Sequence, residues 1–321
     1  MNGSNVKPMD SKIFRILSLD GGGSKGCYTI GVLESVEAML GSPLHEHFDL
    51  IYGTSTGSII GSLIAIGKDM SEIKDLYKSN IPVVMAHSDP GTRSKSLNDL
   101  ANRCFEERTF KDTLVPLGVV TTDWSTEKPR IFKSYVGQAH GSIDSFRPGF
   151  GALLSEVVES SCSATPFFLP KTIQSDILGT ITLIDGGFCA NNPTLFAIID
   201  ALSAMNVVSS ELKVLSVGVG QYPLPKSIKN ILLVTWANWN SKGSVDLLQR
   251  TLSTNANTME QICAIHYKDT DIFRINDAYL SDHHSTDLLE SNPVKLDMMF
   301  RFGGQSFNKY ENEIRKLLLT K

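Results

Sequence analysis

The stretch SLDGGGSKGCYTIGVLESVEAML, residues Ser18–Leu40, decides how this chain folds. A short apolar segment, Phe14–Leu19, leads into its glycines, and from about Tyr28 the apolar residues recur at helical spacing. The order strand, glycine turn, helix is therefore predicted. Backbone N–H groups at such a turn point outward at a helix N-terminus, where they stabilise either the phosphates of a nucleotide or the oxyanion of an acyl-transfer reaction.

A second glycine turn follows the next predicted strand, FDLIYG (Phe48–Gly53), and contains a serine. The turn GTSTG, residues 53–57, has the pattern G-x-S-x-G and precedes a helix of small residues, Ser58–Gly67. Such an elbow exposes the serine hydroxyl at a strained position and aims the next N–H at the acyl oxygen. We therefore predict that Ser55 is a nucleophile, and the alternative is a small-residue loop that matches by chance. The glycines that the elbow requires are Gly53 and Gly57.

A third turn supplies the base that a serine hydroxyl needs within hydrogen-bond reach. Asp185 ends the apolar strand ITLID (Ile181–Asp185) and is followed directly by Gly186 and Gly187. A carboxylate at the carboxyl end of a strand lies at the edge where open α/β sheets bind ligands, so we expect it beside Ser55. The alternative is that Asp185 only caps a turn.

The first glycine turn also fits the spacing of dinucleotide-binding loops through Gly21, Gly23 and Gly26. Those loops need an acidic residue near the end of the second strand, and here that strand runs straight into the serine turn. A P-loop is excluded as well, because Cys27-Tyr28 stands where Lys-Ser/Thr is required. An oxyanion hole beside its nucleophile is the better interpretation, and a nonhydrolytic nucleotide-binding module is kept as an alternative.

Together the motifs DGGGSKG, GTSTG and DGGFCANNP resemble those of the patatin-like phospholipase family, in the family's order. The segment SCSATPFFLP is similar to one that family members carry ahead of the aspartate, and the resemblance extends over Arg15–Pro193 before it thins. It implies lipid acyl hydrolysis by a Ser–Asp dyad without a catalytic histidine, a metal or a cofactor. Ser55 is then the nucleophile and Asp185 its base.

The resemblance also assigns the surroundings of the dyad. It implies an oxyanion hole built from the loop Gly21, Gly22, Gly23 and Ser24, with the N–H of Thr56. The supporting motif residues are Lys25, Gly26, Gly53, Gly57, Gly186 and Gly187. Lys25 stands where the family usually has Arg, so a flexible point charge replaces a planar fork.

The implied partners are a phospholipid or other glycerolipid at a membrane surface and a cyclic-nucleotide activator. The second follows because compact patatin-like proteins without a signal peptide include bacterial effectors that a cyclic nucleotide switches on in antiphage defence. No short nucleotide-recognition motif is readable, and the oligomeric state is left open. The sequence carries 321 residues, a net charge of -4 and no dense Lys/Arg block, so a nucleic-acid partner is not expected.

Cysteine and terminal composition indicate a cytoplasmic protein that contacts membranes peripherally. The five cysteines form no Cys-x-x-Cys pair, which argues against a zinc site or a disulfide framework. The polar N-terminus lacks a secretory signal, and the most apolar stretch, Ser58–Gly67, is too short to span a bilayer.

The histidines offer a rival mechanism. His266 follows Asp185 and so completes the Ser–Asp–His order of classical α/β-hydrolases, which keeps an esterase triad as an alternative. The remaining pairs are expected at the solvated surface and are His45 with His47 and His283 with His284.

Short buried strands alternating with helices predict an α/β fold, with a mostly parallel central sheet flanked by helices on both faces. One patatin-like domain is expected over residues 12–321, after a flexible tail at 1–11, with the motifs in 15–193 and a mainly helical part at about 222–321. The further predicted strands are Leu117–Trp124 and Pro129–Tyr135, which pair around STEK, and Leu212–Gly220 and 270–276. The further predicted helices are Leu153–Ser161, Thr194–Met205, the last helix and Val245–Ile262. We expect Val245–Ile262 to face the core, and the alternative is that it borders the lipid entrance or a partner surface.

Overall fold

The computed structural model describes residues 13–225 and 242–320 of the chain, with side chains given from residue 244 in the second range. The predicted flexible tail, residues 1–11, lies outside the described residues. The strands are β1 (Phe14–Leu19), β2 (Leu50–Thr54), β3 (Leu117–Asp123), β4 (Lys128–Lys133), β5 (Lys171–Ser175), β6 (Gly179–Asp185), β7 (Leu212–Val217) and β8 (Asp271–Ile275). The helices are α1 (Gly26–Leu40), α2 (Thr56–Ala65), α3 (Met70–Ala86), α4 (Pro90–Phe105), α5 (Leu154–Ser161), α6 (Gly187–Ala190), α7 (Thr194–Ile199), α8 (Lys242–His266) and α9 (Pro293–Leu319).

These strands form one eight-stranded sheet in the order β5-β6-β3-β2-β1-β7-β8, with β4 on the other edge of β3. The five strands β3, β2, β1, β7 and β8 are parallel, which confirms the predicted mostly parallel sheet. Adjacent buried residues of one strand pack into different cores: Leu17 joins the cluster with α1, α2 and α9, whereas Ile16 joins the one with α7. Both faces of the sheet are therefore covered.

Strand β3 brings the two motif strands together. Along one edge, β4 pairs with the whole of residues 118–123. The opposite edge is shared: β2 pairs in parallel up to Thr54 opposite Val120, and β6 then pairs antiparallel from Asp185 opposite Thr121. Strands β2 and β6 therefore meet end to end, with their carboxyl ends adjoining.

The predicted position of Asp185 at the active edge of the sheet is correct, but the reason given for it is wrong. The sequence argument placed it there as the carboxyl end of a parallel strand. Strand β6 in fact runs antiparallel to β3, so its carboxyl end points toward the carboxyl end of β2. Its last residue lies level with the end of β2 because β6 pairs with only the last three residues of β3.

The sequence analysis did not name β5, α3 or α4. Helix α3 starts with a capping box in which Asp69 accepts from the Glu72 N–H at 2.8 Å, and α4 is capped by Asp89. The buried face of α3 includes Ile81 and Val84, which border the candidate site below. The signal that was available is the capping box ahead of an apolar helical repeat.

Candidate active site

Ser55 occupies the strained apex of the turn between β2 and α2. Its backbone lies at φ 51° and ψ −125°, outside the range that most side chains favour. A Cβ at Gly53 would lie 2.4 Å from the Gly57 carbonyl oxygen, and one at Gly57 would lie 2.2 Å from that of Leu19. The turn therefore closes only with glycine at both positions, as the motif predicts.

The backbone of Ser55 is fixed by a serine relay from α5. The Ser55 N–H donates to Ser161 Oγ at 2.9 Å, and the Ser161 hydroxyl donates to the Val120 carbonyl at 2.6 Å. Because Val120 faces the end of β2 across the sheet, this relay ties the nucleophile's turn to the same stretch of β3 that pairs with Asp185. The Ser55 side chain itself is left for chemistry.

Asp185 lies beside Ser55 in a buried position and is 1 % exposed. Burial raises the pKa of the Asp185 carboxyl from 3.8 to about 7, and hydrogen bonds from the Gly187 N–H and the Ser55 side chain oppose part of that rise. The Gly187 N–H donates to Asp185 Oδ1 at 2.7 Å, which orients the carboxylate. The structure therefore brings together the two residues that the sequence singled out.

The glycine loop before α1 offers fewer free amides than the motif predicts. The Gly21 N–H donates to the Asn191 carbonyl at 2.9 Å and the Ser24 N–H to the Leu288 carbonyl at 3.1 Å. Because these two amides already donate to backbone carbonyls, the prediction that they belong to the oxyanion hole is wrong. Among the described residues, the N–H groups of Gly22, Gly23 and Thr56 have no protein acceptor.

Asn191 and Asn255 clamp the glycine loop to the aspartate turn, and the sequence analysis missed both. Asn191 Nδ2 donates to the Gly21 carbonyl at 3.1 Å, and the Asn191 backbone carbonyl accepts from the Gly21 N–H. Asn255, on α8, accepts from the Asn191 N–H at 2.7 Å and donates to the Cys189 carbonyl at 3.1 Å. Asn191 belongs to the DGGFCANNP motif, which was the available signal; Asn255 has none.

The remaining motif residues pack close to the dyad. A Cβ at Gly26 would lie 2.3 Å from Thr56 Oγ1, and one at Gly186 would lie 2.1 Å from the Val120 carbonyl oxygen. Lys25 is 6 % exposed, and its side chain makes no hydrogen bond or ion pair to another described residue. Burial lowers its pKa to about 8, although the charge of Asp287 opposes this.

An apolar cavity of about 40 Å³ adjoins Ser55 and Asp185. It extends from the glycine loop toward α3 and α4, and Leu252 of α8, a helix predicted to face the core, also lies in its wall. Its lining includes Gly22, Gly23, Ile59, Ile81, Val84, Met85, Leu97, Phe168, Leu252 and Leu288. This volume is far below the range of about 300–1,000 Å³ that is usual for small-molecule sites. A fatty-acyl chain does not fit there without movement.

A polar cleft of about 1030 Å³ meets the apolar cavity at the glycine loop. Gly22, Leu252 and Leu288 line both spaces. The cleft contains the buried Lys25 and several polar side chains of α8, which are Asp246, Gln249, Arg250, Ser253 and Asn257. The apolar cavity at Ser55 and the polar cleft thus meet at the glycine loop.

The histidines lie away from the dyad. His266 ends α8 in an exposed position, and no histidine lines the apolar cavity or the polar cleft in the part of the chain described. Within that part, no group of three or more His, Cys, Asp or Glu side chains is arranged to hold a metal. The geometry thus favours the dyad over the Ser–Asp–His alternative.

Comparison with known proteins agrees with this geometry. The family model "Patatin-like phospholipase" matches residues 17–198. A cUMP-AMP-activated phospholipase of Escherichia coli is 45% identical over 97% of this chain and 95% of its own length. Patatin-like protein 4 of Arabidopsis thaliana is 26% identical over 89% and 83%, and a cGAMP-activated phospholipase of Vibrio cholerae is 28% identical over 64% and 63%. Over the described residues, no helix has both the length and the apolar character needed to cross a bilayer.

Proposed function

Because the chain belongs to the patatin-like phospholipase family and is a lipid acyl hydrolase, we propose that Ser55 and Asp185 are its catalytic dyad and that a cyclic nucleotide activates it. One observation supports the dyad above all: the carboxyl ends of β2 and β6 adjoin along β3, and this places Ser55 beside the Asp185 carboxylate. The substrate proposed is a glycerophospholipid at a membrane surface.

In the first half-reaction, the Ser55 hydroxyl attacks the ester carbonyl while Asp185 takes its proton. The free N–H groups of Gly22, Gly23 and Thr56 donate hydrogen bonds to the carbonyl oxygen and stabilise the negative charge that develops on it. The carbon–oxygen bond to the glycerol then breaks, and the departing alkoxide receives the proton from Asp185. Lysophospholipid leaves and the acyl group remains on Ser55.

In the second half-reaction, water attacks the acyl-enzyme and gives its proton to Asp185. The carboxyl then returns this proton to Ser55 as the fatty acid departs. A carboxylic acid with a pKa of about 7 is suited to both steps, since it accepts and releases a proton near neutral pH. Burial of Asp185 is therefore a functional property and not only a packing one.

The apolar cavity at Ser55 and the polar cleft that meets it fit the two ends of a phospholipid. The apolar cavity is lined by apolar side chains of α3 and α4 and by Phe168, and it would take the acyl chain. The cationic Lys25 in the adjoining polar cleft would attract the phosphate, as a point charge rather than as the fork of the usual arginine.

Activation by a cyclic nucleotide is supported by two observations. Two relatives are named as phospholipases activated by cUMP-AMP and by cGAMP. The acyl cavity is about 40 Å³ in this structure, so a conformational change must open it before a lipid chain enters. The role in antiphage defence expected from the family resemblance is proposed on the same relatives.

The test measures fatty-acid release from phosphatidylethanolamine–phosphatidylglycerol vesicles, with and without cyclic UMP–AMP. Ser55→Ala and Asp185→Asn are expected to abolish release, and Ser55 to be the residue that a fluorophosphonate labels. Ser125→Ala, an exposed serine in the turn after β3, is the matched control. Labelling at another serine, or full activity in folded Ser55→Ala, contradicts the dyad; equal activity with and without any cyclic dinucleotide contradicts the activation.

A further inference from the structure

A separate cavity of about 380 Å³ lies behind the catalytic loops, at the β7–β8 edge of the sheet. Its walls come from the carboxyl half of α8, from β7 and β8, and from the turn that follows the aspartate motif. The lining residues are Asn192, Thr194, Ser216, Glu260, Cys263, Ala264, Tyr267, Lys268, Thr270, Ile272 and Arg274. The volume falls within the range of about 300–1,000 Å³ that is usual for small-molecule sites.

This cavity is outside the path of the substrate. None of its lining residues lines the apolar cavity or the polar cleft beside Ser55. A ligand in the polar cleft would compete with the phospholipid, because that cleft shares Gly22 and Leu252 with the acyl cavity. An activator must bind elsewhere, and the β7–β8 cavity meets that condition.

The chemistry of the lining suits an anionic ligand that carries a ring. Lys268 makes no ion pair or hydrogen bond to another residue in the described part of the chain, so its charge is free for a ligand. Arg274 is the second cation of the lining, and it is paired with Glu260, the single carboxylate among the lining residues, and with Asp20. Tyr267 and Ile272 supply an aromatic and an aliphatic surface, and phosphates with nucleobases present the complementary groups.

Arg274 connects this cavity to the oxyanion loop. Its Nη1 and Nη2 donate to the two carboxylate oxygens of Asp20 at 3.1 and 2.7 Å, and its Nε donates to Glu260 at 2.8 Å. Asp20 is 2 % exposed and directly precedes Gly21, while Gly22 and Gly23 form part of the acyl-cavity wall. A ligand that binds the Arg274 guanidinium therefore competes with Asp20 for it. Such a ligand changes the position of the glycine loop, which contains the free amides of Gly22 and Gly23 and lines the acyl cavity.

Another cavity competes less well for this role. A space of about 600 Å³ between α1, α3 and α9 also contains cations. Two of them, like Arg274, are paired with carboxylates: Lys74 with Glu34 at 2.7 Å and Lys78 with Asp297 at 2.8 Å. Among the described residues that line it, none hydrogen-bonds to Asp20 or to the glycine loop that follows.

We propose that the β7–β8 cavity is the binding site of the cyclic-dinucleotide activator, with its phosphates at Lys268 and Arg274. Binding there loosens the hold of Arg274 on Asp20 and frees the glycine loop to adjust when an acyl chain enters the cavity. This inference rests on the proposed activation by a cyclic nucleotide, and it adds the site and the route of that activation.

The test is equilibrium binding of fluorescently labelled cyclic UMP–AMP to the full chain. Lys268→Glu and Ala264→Trp, which adds bulk at an exposed position of α8, are expected to weaken binding by roughly tenfold or more. Glu260→Gln removes the carboxylate beside the phosphates and is expected to tighten binding, a result that misfolding cannot produce. Lys128→Glu, the same charge reversal on β4, is the matched control.

The route has its own readout. Arg274→Lys keeps the charge and loses the two-pronged contact with Asp20, so it is expected to bind the labelled nucleotide, to hydrolyse lipid faster than wild type without nucleotide, and to show no further rise with it. Asp20→Asn breaks the same pair from the loop side and should also raise hydrolysis without nucleotide. Wild-type affinity in Lys268→Glu and Ala264→Trp overturns the site while the activation stands. A wild-type chain that binds no cyclic dinucleotide overturns the activation and, with it, the site.

Discussion

Replacement of Asp185 by asparagine is expected to abolish hydrolysis and to stabilise the fold at alkaline pH. The change keeps the shape of the side chain and its acceptor for the Gly187 N–H, but removes a carboxyl that is buried and must ionise to act as a base. Burial raises the pKa of this carboxyl from 3.8 to about 7, so the folded protein holds its proton over a range in which the unfolded chain has lost it.

The sign and size follow from proton linkage. Between pH 4 and 7 the folded state binds more protons than the unfolded state, so the contribution of Asp185 to the free energy of unfolding decreases as pH rises. With 1.36 kcal/mol for each pKa unit, the full cost is about 4 kcal/mol above pH 7. About 3 kcal/mol of it appears between pH 5 and pH 8. The advantage of Asp185→Asn over wild type should grow by that amount.

Urea unfolding followed by tryptophan fluorescence, at pH 5 and at pH 8, measures this difference. Other titrating groups are common to both proteins, so they cancel when the variant is compared with wild type at each pH. Asp144→Asn, at an exposed position in the loop before α5, controls for the substitution itself. An advantage that is equal at the two pH values, or larger at pH 5, would show that Asp185 is not held by burial as described.

Three other predictions concern activity. The kcat/KM for phospholipid should rise about tenfold between pH 6 and pH 8, because the ionised fraction of a base with a pKa of about 7 rises in that ratio; a flat profile would contradict the role of Asp185. Gly22→Val should lower kcat by about 10²-fold or more with little change in vesicle binding, because a Cβ there would lie 2.6 Å from Val219 Cγ2 and displace a free amide. Gly91→Ala is the control, and equal losses of kcat and of vesicle binding would refute the oxyanion role. His266→Ala should keep most activity, and loss of hydrolysis in the folded variant would restore the triad.

The sequence by itself was enough for the parts of this protein whose geometry is local. A glycine on each side of Ser55 is required because backbone carbonyls lie within 2.4 Å of where a Cβ would be, so the motif and the turn specify one another. The elements next to these motifs, β1, β2 and α1, are likewise predictable from the spacing of apolar residues along the chain. The parallel sheet with both faces covered was predictable for this reason.

Only the tertiary structure decided how these local pieces meet. The antiparallel direction of β6 depends on the partner that it finds on β3, and a strand's own pattern does not encode its partner. Which loop amides stay free depends on distant acceptors such as Leu288. Arg274 reaches Asp20 across 254 residues, in a part of the chain where the family motifs have ended. Such contacts arise from packing between elements, because residues far apart in sequence become neighbours only when the whole sheet has formed.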